Sequence, residues 1–165
     1  MPLRTLKRIV SDGQMGVDRA ALDTAKALGL DRAGFTTKGC IAIDGQTDHE
    51  YNLKANNSPS TAARNIQIVD SVDATLILTF GPATENMLQI SSISKKKEKP
   101  VKMVDLNKQN DPDEVAIWLI ENKVETLNIC GPDDKSRPET YRKSREYLMR
   151  AIGRKELEEK ELVEE

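Results

Sequence analysis

Arg8-Ile9-Val10-Ser11-Asp12-Gly13-Gln14-Met15-Gly16-Val17-Asp18 is the stretch that decides how this chain folds. A short apolar run enters a turn carrying two glycines, and the turn opens directly into a helical pattern. Val17, Ala20, Ala21, Thr24, Ala25 and Leu28 recur at helical spacing, with Asp18, Arg19, Asp23 and Lys26 on the other side. Gly29 supplies the stop. At such a strand-to-helix junction the first backbone N–H groups lack intrahelical acceptors, and the helix dipole adds positive potential. An anionic ligand, most often a phosphate, suits that arrangement.

The same alternation continues along the chain. Leu6 to Ser11 reads as the first strand. Residues 31–59 are irregular, with a short strand expected near Ala33–Thr36 and a hairpin turn at Asp44-Gly45. So long a loop points to function or to a concealed element. Ser58-Pro59 has the form of a helix start, followed by Ala62, Ile66 and Val69 as an inward face. Thr75-Leu76-Ile77-Leu78-Thr79-Phe80 is a continuous β-favouring run, as expected of a strand covered on both faces. Gly81-Pro82 ends it, and a helix is expected from Thr84 to Lys97 with Met87, Ile90 and Ile93 inward.

Val101 to Asp105 is the next strand. Asp111-Pro112-Asp113-Glu114 starts a helix with cap, proline and acidic first turn in place. Thr126–Cys130 is the last strand, ended by Gly131-Pro132. Ser136-Arg137-Pro138-Glu139 has the spacing of a capping box, opening a helix with Tyr141, Leu148 and Ile152 inward. Strands alternating with helices imply a doubly wound α/β domain, a mainly parallel sheet with helices on both faces. One such domain is expected over residues 1–153, with a charged tail over 154–165. Right-handed crossovers then gather Ser11–Gly16, Gly81-Pro82, Asp105 and Gly131-Pro132 along one edge, where such sheets bind ligands.

Composition narrows the function classes. The formal net charge of the 165 residues is −2, so no basic surface argues for nucleic acid. The tail from Arg154 to Glu165 is acidic, with six Glu against three Lys or Arg. Cys40 and Cys130 match no metal or redox spacing, and a reduced, cytoplasmic setting is the economical reading. No stretch approaches the ~18 apolar residues of a membrane span.

Several residues carry candidate chemistry, each with a plainer alternative. Gly13, Gln14 and Gly16 form the first-loop anion site, or an ordinary strand–helix turn. Asp18 and Arg19 orient that loop or touch ligand, although Asp18 also complements the helix dipole. Lys38 can reach a phosphate as a point charge or remain a solvated lysine. Arg64 offers a planar fork for phosphate or carboxylate, or a structural pair with Asp44 or Asp73. Asp44-Gly45 is a turn signature before it is a ligand contact. Asp105 can bind a hydroxyl or amide donor, or cap its own loop. His49 lacks a triad partner, and Cys40 reads as a small loop residue. Lys95-Lys96-Lys97 and Lys99 suit a helix C-terminus.

With these residues in hand, Ser11-Asp12-Gly13-Gln14-Met15-Gly16-Val17-Asp18-Arg19-Ala20-Ala21-Leu22-Asp23 resembles the start of the putative molybdenum carrier family. The likeness continues through Lys38-Gly39, Ala42, Asp44-Gly45, Tyr51, Arg64, Asn65, Asp73 to Ile77, Lys99-Pro100-Val101, Asp105-Leu106 and Gly131-Pro132. These are Rossmann-like proteins related to a nucleotide-binding superfamily that includes cytokinin-activating phosphoribohydrolases. The resemblance implies a cytoplasmic homo-oligomer that binds molybdenum cofactor (molybdopterin) or another phosphorylated pterin- or nucleotide-like molecule. It implies binding roles for Gly39, Gly81, Pro82 and Thr84, while charge and hydropathy leave neither a membrane nor a nucleic acid as an expected partner.

The departures from that family are specific. Asp12 stands where a glycine is usual and Met15 where a threonine is usual. A carboxylate ~4 Å from a phosphate would cost about 4 kcal/mol at an effective dielectric near ~20. The third-strand loop keeps Gly81-Pro82-Ala83-Thr84, but Glu85-Asn86-Met87 replaces a Gly-Gly-Thr element, and Ser92 replaces an acidic residue that is catalytic in the related hydrolases. The first expectation is therefore a carrier or binding protein with no catalytic residue and no metal ligand of its own. A hydrolase of nucleotide-derived substrates would need Glu85 or Asp105 in place of the missing acid. A degenerate interaction or sensing module is the third reading.

Overall fold

Ala74–Thr79 is buried at every position, so helices must cover both faces of the sheet that contains it. The computed structural model describes residues 5–11, 16–36, 41–42, 45–46, 53–55, 61–132 and 139–153. In chain order these are β1 (Arg8–Val10), α1 (Val17–Leu28), β2 (Asp31–Thr36), β3 (Ile41–Ala42), β4 (Gly45–Gln46), β5 (Leu53–Ala55), α2 (Thr61–Asp70), β6 (Ala74–Thr79), α3 (Glu85–Lys96), β7 (Val101–Asp105), α4 (Pro112–Glu121), β8 (Thr126–Cys130) and α5 (Thr140–Ile152).

Six strands pair in the order β5-β2-β1-β8-β6-β7, every pair parallel. The last strand of the chain lies in the middle, with Arg8 opposite Thr126 on one side and Ala74 opposite Leu127 on the other. α1, α4 and α5 pack together on one face. Beneath them is the largest core cluster, including Ile9, Val17, Leu76, Leu78, Leu119, Leu127, Ile129 and Leu148. α2 and α3 cover the other face over Val69, Ile77, Met87 and Ile90, with Val10, Ile68 and Val72 alongside. This is the Rossmann-like α/β arrangement that the alternation predicts. No helix among the described residues is long and apolar enough to cross a membrane.

The structure refines several expectations. Within residues 31–59, β2 starts at Asp31 and β5 is an unanticipated edge strand paired with β2. β3 and β4 form a two-residue antiparallel pair in which Gly45, expected in the turn, is a strand residue paired with Ala42; Asp44 itself, and the Ser58-Pro59 helix start, lie outside the described residues. In α2 the inward face is rotated from the expected one. Ile66 is 41% exposed, whereas Asn65 is fully buried beside Ile68 and Val69. Polar contacts to α3 override the apolar pattern there. α5 begins later than the capping box implies. Glu139 occupies the N-cap without a side-chain cap bond and pairs instead with Lys143 (3.1 Å) and Arg142 (3.6 Å), which hold its carboxyl below the usual range.

Two polar staples close the ends opposite the candidate site. Asp73 Oδ2 accepts from the N–H groups of Glu125 and Thr126, both at 3.0 Å, tying the start of β6 to the start of β8. Lys99 Nζ donates to the carbonyls of Val69 (2.8 Å), Asp70 (3.1 Å) and Val72 (2.7 Å). One cation thus satisfies the open C-terminus of α2 from the α3–β7 connection. Lys99→Met should cost about 1.5–3 kcal/mol in equilibrium denaturation, the range for hydrogen bonds to a charged group. An unchanged midpoint would show that water caps α2 equally well.

Candidate functional site

Because the sheet is all parallel, the carboxyl ends of its strands share one rim, and the helices that follow start there. Hydrogen bonds lace the connections at that rim. Val17 N–H donates to Pro132 O (3.2 Å), Leu106 N–H to Thr79 O (2.8 Å) and Ser11 N–H to Ala33 O (3.0 Å). Ser11 Oγ, buried, donates to Ile129 O at 2.6 Å. The ends of β1, β6, β7 and β8 are therefore brought together as the sequence implies.

Gly131 sets how close they come. A Cβ built on it would lie 2.4 Å from Leu78 O and 2.7 Å from Val17 Cγ2. The residue after β8 thus passes between the end of β6 and the first turn of α1 with no room for a methyl group. Gly16, the N-cap of α1, has φ +98° and ψ −133°, a conformation that L side chains resist. Its carbonyl accepts from Ala20 N–H at 2.9 Å, beginning the helical ladder. The positive end of the α1 dipole is thereby fixed at the middle of the rim, between β1 and β8.

The expected site residues fall into three groups. Gly13, Gln14, Lys38, Gly39 and Asp44 lie outside the described residues, as do Asp12 and Met15. Gly16, Asp18 and Arg19 sit at the head of α1. Asp18 is 8% exposed rather than on the solvent side of the helix, as its spacing suggests, and Arg19 is half-buried. Both belong to the first turn, where an acid complements the dipole. Arg64 is half-buried in the first turn of α2.

Gly81, Pro82, Thr84 and Asp105 are held by one another and by their own helix. Asp105 Oδ1 accepts from Gly81 N–H (3.0 Å) and Asn107 N–H (2.9 Å), so this carboxylate fixes two rim loops at once. The loop-capping alternative for Asp105 is the one the geometry displays. Thr84 is the N-cap of α3, its Oγ1 accepting from Met87 N–H at 3.3 Å. Pro82 is exposed beside it.

Sequence reasoning missed a carboxamide cluster at this rim. Asn65 donates its two N–H bonds to Asn86 Oδ1 and Gln89 Oε1, each at 2.7 Å. Its own Oδ1 is buried and accepts no hydrogen bond among the described residues. The departure at Asn86 was visible, since a glycine there would carry no side chain to meet α2. Its partner was hidden by the apolar reading of α2.

A parallel sheet with the heads of α1, α2 and α3 along one carboxyl rim defines a Rossmann-like α/β domain. More narrowly, the chain belongs to the circularly permutated YpsA SLOG family, whose model matches residues 9–152. The fold is also that of a solved structure from Syntrophus aciditrophicus SB, described as a putative molybdenum carrier protein. That structure is 27% identical, covers 91% of this chain and 96% of its own, and superposes with a TM-score of 0.82. No curated protein matches the chain.

Gly131→Ala should destabilise the fold by about 3 kcal/mol, because the methyl meets backbone as well as Val17. Denaturant titration of the variant measures this. Wild-type stability would mean that β6, β8 and α1 do not close on each other as tightly as the geometry states.

Proposed function

We propose that this protein binds, without turnover, a phosphorylated pterin- or nucleotide-like small molecule at the carboxyl rim, molybdenum cofactor being one such ligand. The observation that carries the reading is the placement of the α1 head, opened by Gly16, in the middle of that rim. Backbone N–H groups and dipole there favour a phosphate. Arg19, in the first turn of α1, and Arg64, in the first turn of α2, are the cations proposed to meet it. The solved relative described as a molybdenum carrier supports the same ligand class.

Among the described residues no three of His, Cys, Asp and Glu group to take a metal ion. In this reading a molybdenum-bearing cofactor is held by its phosphate and ring. A cytoplasmic homo-oligomer, with neither nucleic acid nor membrane as partner, goes with this reading.

Hydrolysis is the rival, and the positions that could supply its acid are poorly suited. Ser92, exposed on α3, brings no carboxylate. Asp105 is committed to two backbone N–H groups. Glu85, exposed in the first turn of α3, offsets that helix's dipole.

Titration calorimetry with molybdopterin and a nucleotide panel, combined with product analysis, tests the proposal. Binding without product is expected, with stabilisation of about 2.7 kcal/mol at ~100 times the dissociation constant. Arg64→Ala should weaken binding about tenfold or more while leaving the melting temperature of the free protein unchanged, and Asp12→Gly should strengthen it. Release of free base and sugar phosphate would establish the hydrolase instead. A melting curve that no compound moves would favour an interaction module.

A further inference from the structure

A concave cavity of about 290 Å³ lies on the flank of the fold, where the β7–α4 connection faces α5. Leu106 and Pro112 form its apolar wall. Lys143, Tyr147 and Arg150 reach it from α5 at spacings of four and three residues, which puts them on one helix face. Lys108 closes it from the loop after β7. The volume is at the lower end of small-molecule sites, roughly 300–1,000 Å³.

The charges around it do not cancel locally. Lys143 is paired with Glu139, and Glu146, which also lines the cavity, is paired with Arg142. Lys108 and Arg150 have no ion-pair partner among the described residues. Asp111 and Glu114, at the head of α4, act on Tyr147. Burial first, and then these two acids, push the Tyr147 hydroxyl up to about 12, so it stays a protonated donor at physiological pH. The lining thus carries two cations without an ion-pair partner among the described residues, beside the apolar wall of Leu106 and Pro112.

We propose that this cavity is a second ligand site, separate from the rim, for a compact organic phosphate whose phosphoryl group pairs with Lys108 and Arg150 and whose apolar body lies against Leu106 and Pro112. The inference stands on the α4–α5 flank and does not depend on what the rim binds. A phosphomonoester suits it because a dianion answers two unpaired cations, and a guanidinium can hold phosphate through two parallel bonds. Inorganic phosphate alone would leave the apolar wall in water.

The test is an amide-resolved NMR titration of the full chain with phenyl phosphate, using inorganic phosphate and phenol as controls. Phenyl phosphate should shift resonances of Leu106, Lys108, Tyr147 and Arg150, and should bind at least tenfold more tightly than either control. Lys108→Gln with Arg150→Gln, both exposed positions, should weaken it at least tenfold with an unchanged melting temperature. Arg64→Ala should leave it unaffected, which separates this site from the rim. Equal affinity in the double variant, or shifts confined to the head of α1, would overturn the proposal. So would binding that emerges only after Glu156, Glu158 and Glu159 are replaced by Gln, since the acidic tail would then be the natural occupant.

Discussion

The close approach at Gly131 is the constraint on which the rim depends. A backbone carbonyl of β6, the exit of β8 and the first residue of α1 share a space that admits no side chain. If they stood further apart, the α1 head would not lie at the junction of β1 and β8, and the Val17 to Pro132 hydrogen bond would be lost. Positive potential at the rim is thus a consequence of packing as much as of any charged residue. Asp105 performs a related task one strand away, linking the loops after β6 and β7 through a single carboxylate oxygen. Among the described residues, rim geometry is held mainly by backbone groups and their caps.

Much of the fold was legible because buried parallel strands and amphipathic helices leave different periodicities. β6 reads as an unbroken apolar run since both of its faces are covered, and α4 announces itself by Asp111 and Pro112. What could not be read were features set by neighbours distant in sequence. Nothing in Thr126–Cys130 says that it lies between β1 and β6. β5 is three residues long with a lysine at its centre, too short for periodicity to register. The rotated face of α2 is the instructive miss. Spacing favoured Ile66 as an inward residue, but Asn65 meets Asn86 and Gln89 across the helix pair, and those hydrogen bonds turn the isoleucine outward.

The candidate site was legible in a different way. Strand ends and glycine turns located the rim, and the structure gathers them there. Roles within it were less readable, because the same residue types serve ligands and loops alike. Thr84 and Asp105 illustrate this, each holding backbone N–H groups of its own chain. Asn86 illustrates the converse. A departure from a family pattern, noticed as a loss of glycine, turns out to add a side chain that ties two helix heads together and leaves a buried amide oxygen without a donor among the described residues. Such a group costs about 1–3 kcal/mol, set against the two hydrogen bonds that join α2 to α3.

The central position of β8 also bears on how the molecule is made. Synthesis runs from the N-terminus, so β5, β2 and β1 exist as one ribbon, and β6 with β7 as another, before the strand that unites them has been translated. Until then the inner borders of both ribbons, β1 and β6, are open templates for pairing with other chains. Insertion of β8 closes both borders in one step and joins the ribbons into a continuous sheet. A nascent chain halted before Thr126 would consequently be sticky rather than merely incomplete, and its commitment to the native topology waits on the last strand of the sheet to be made.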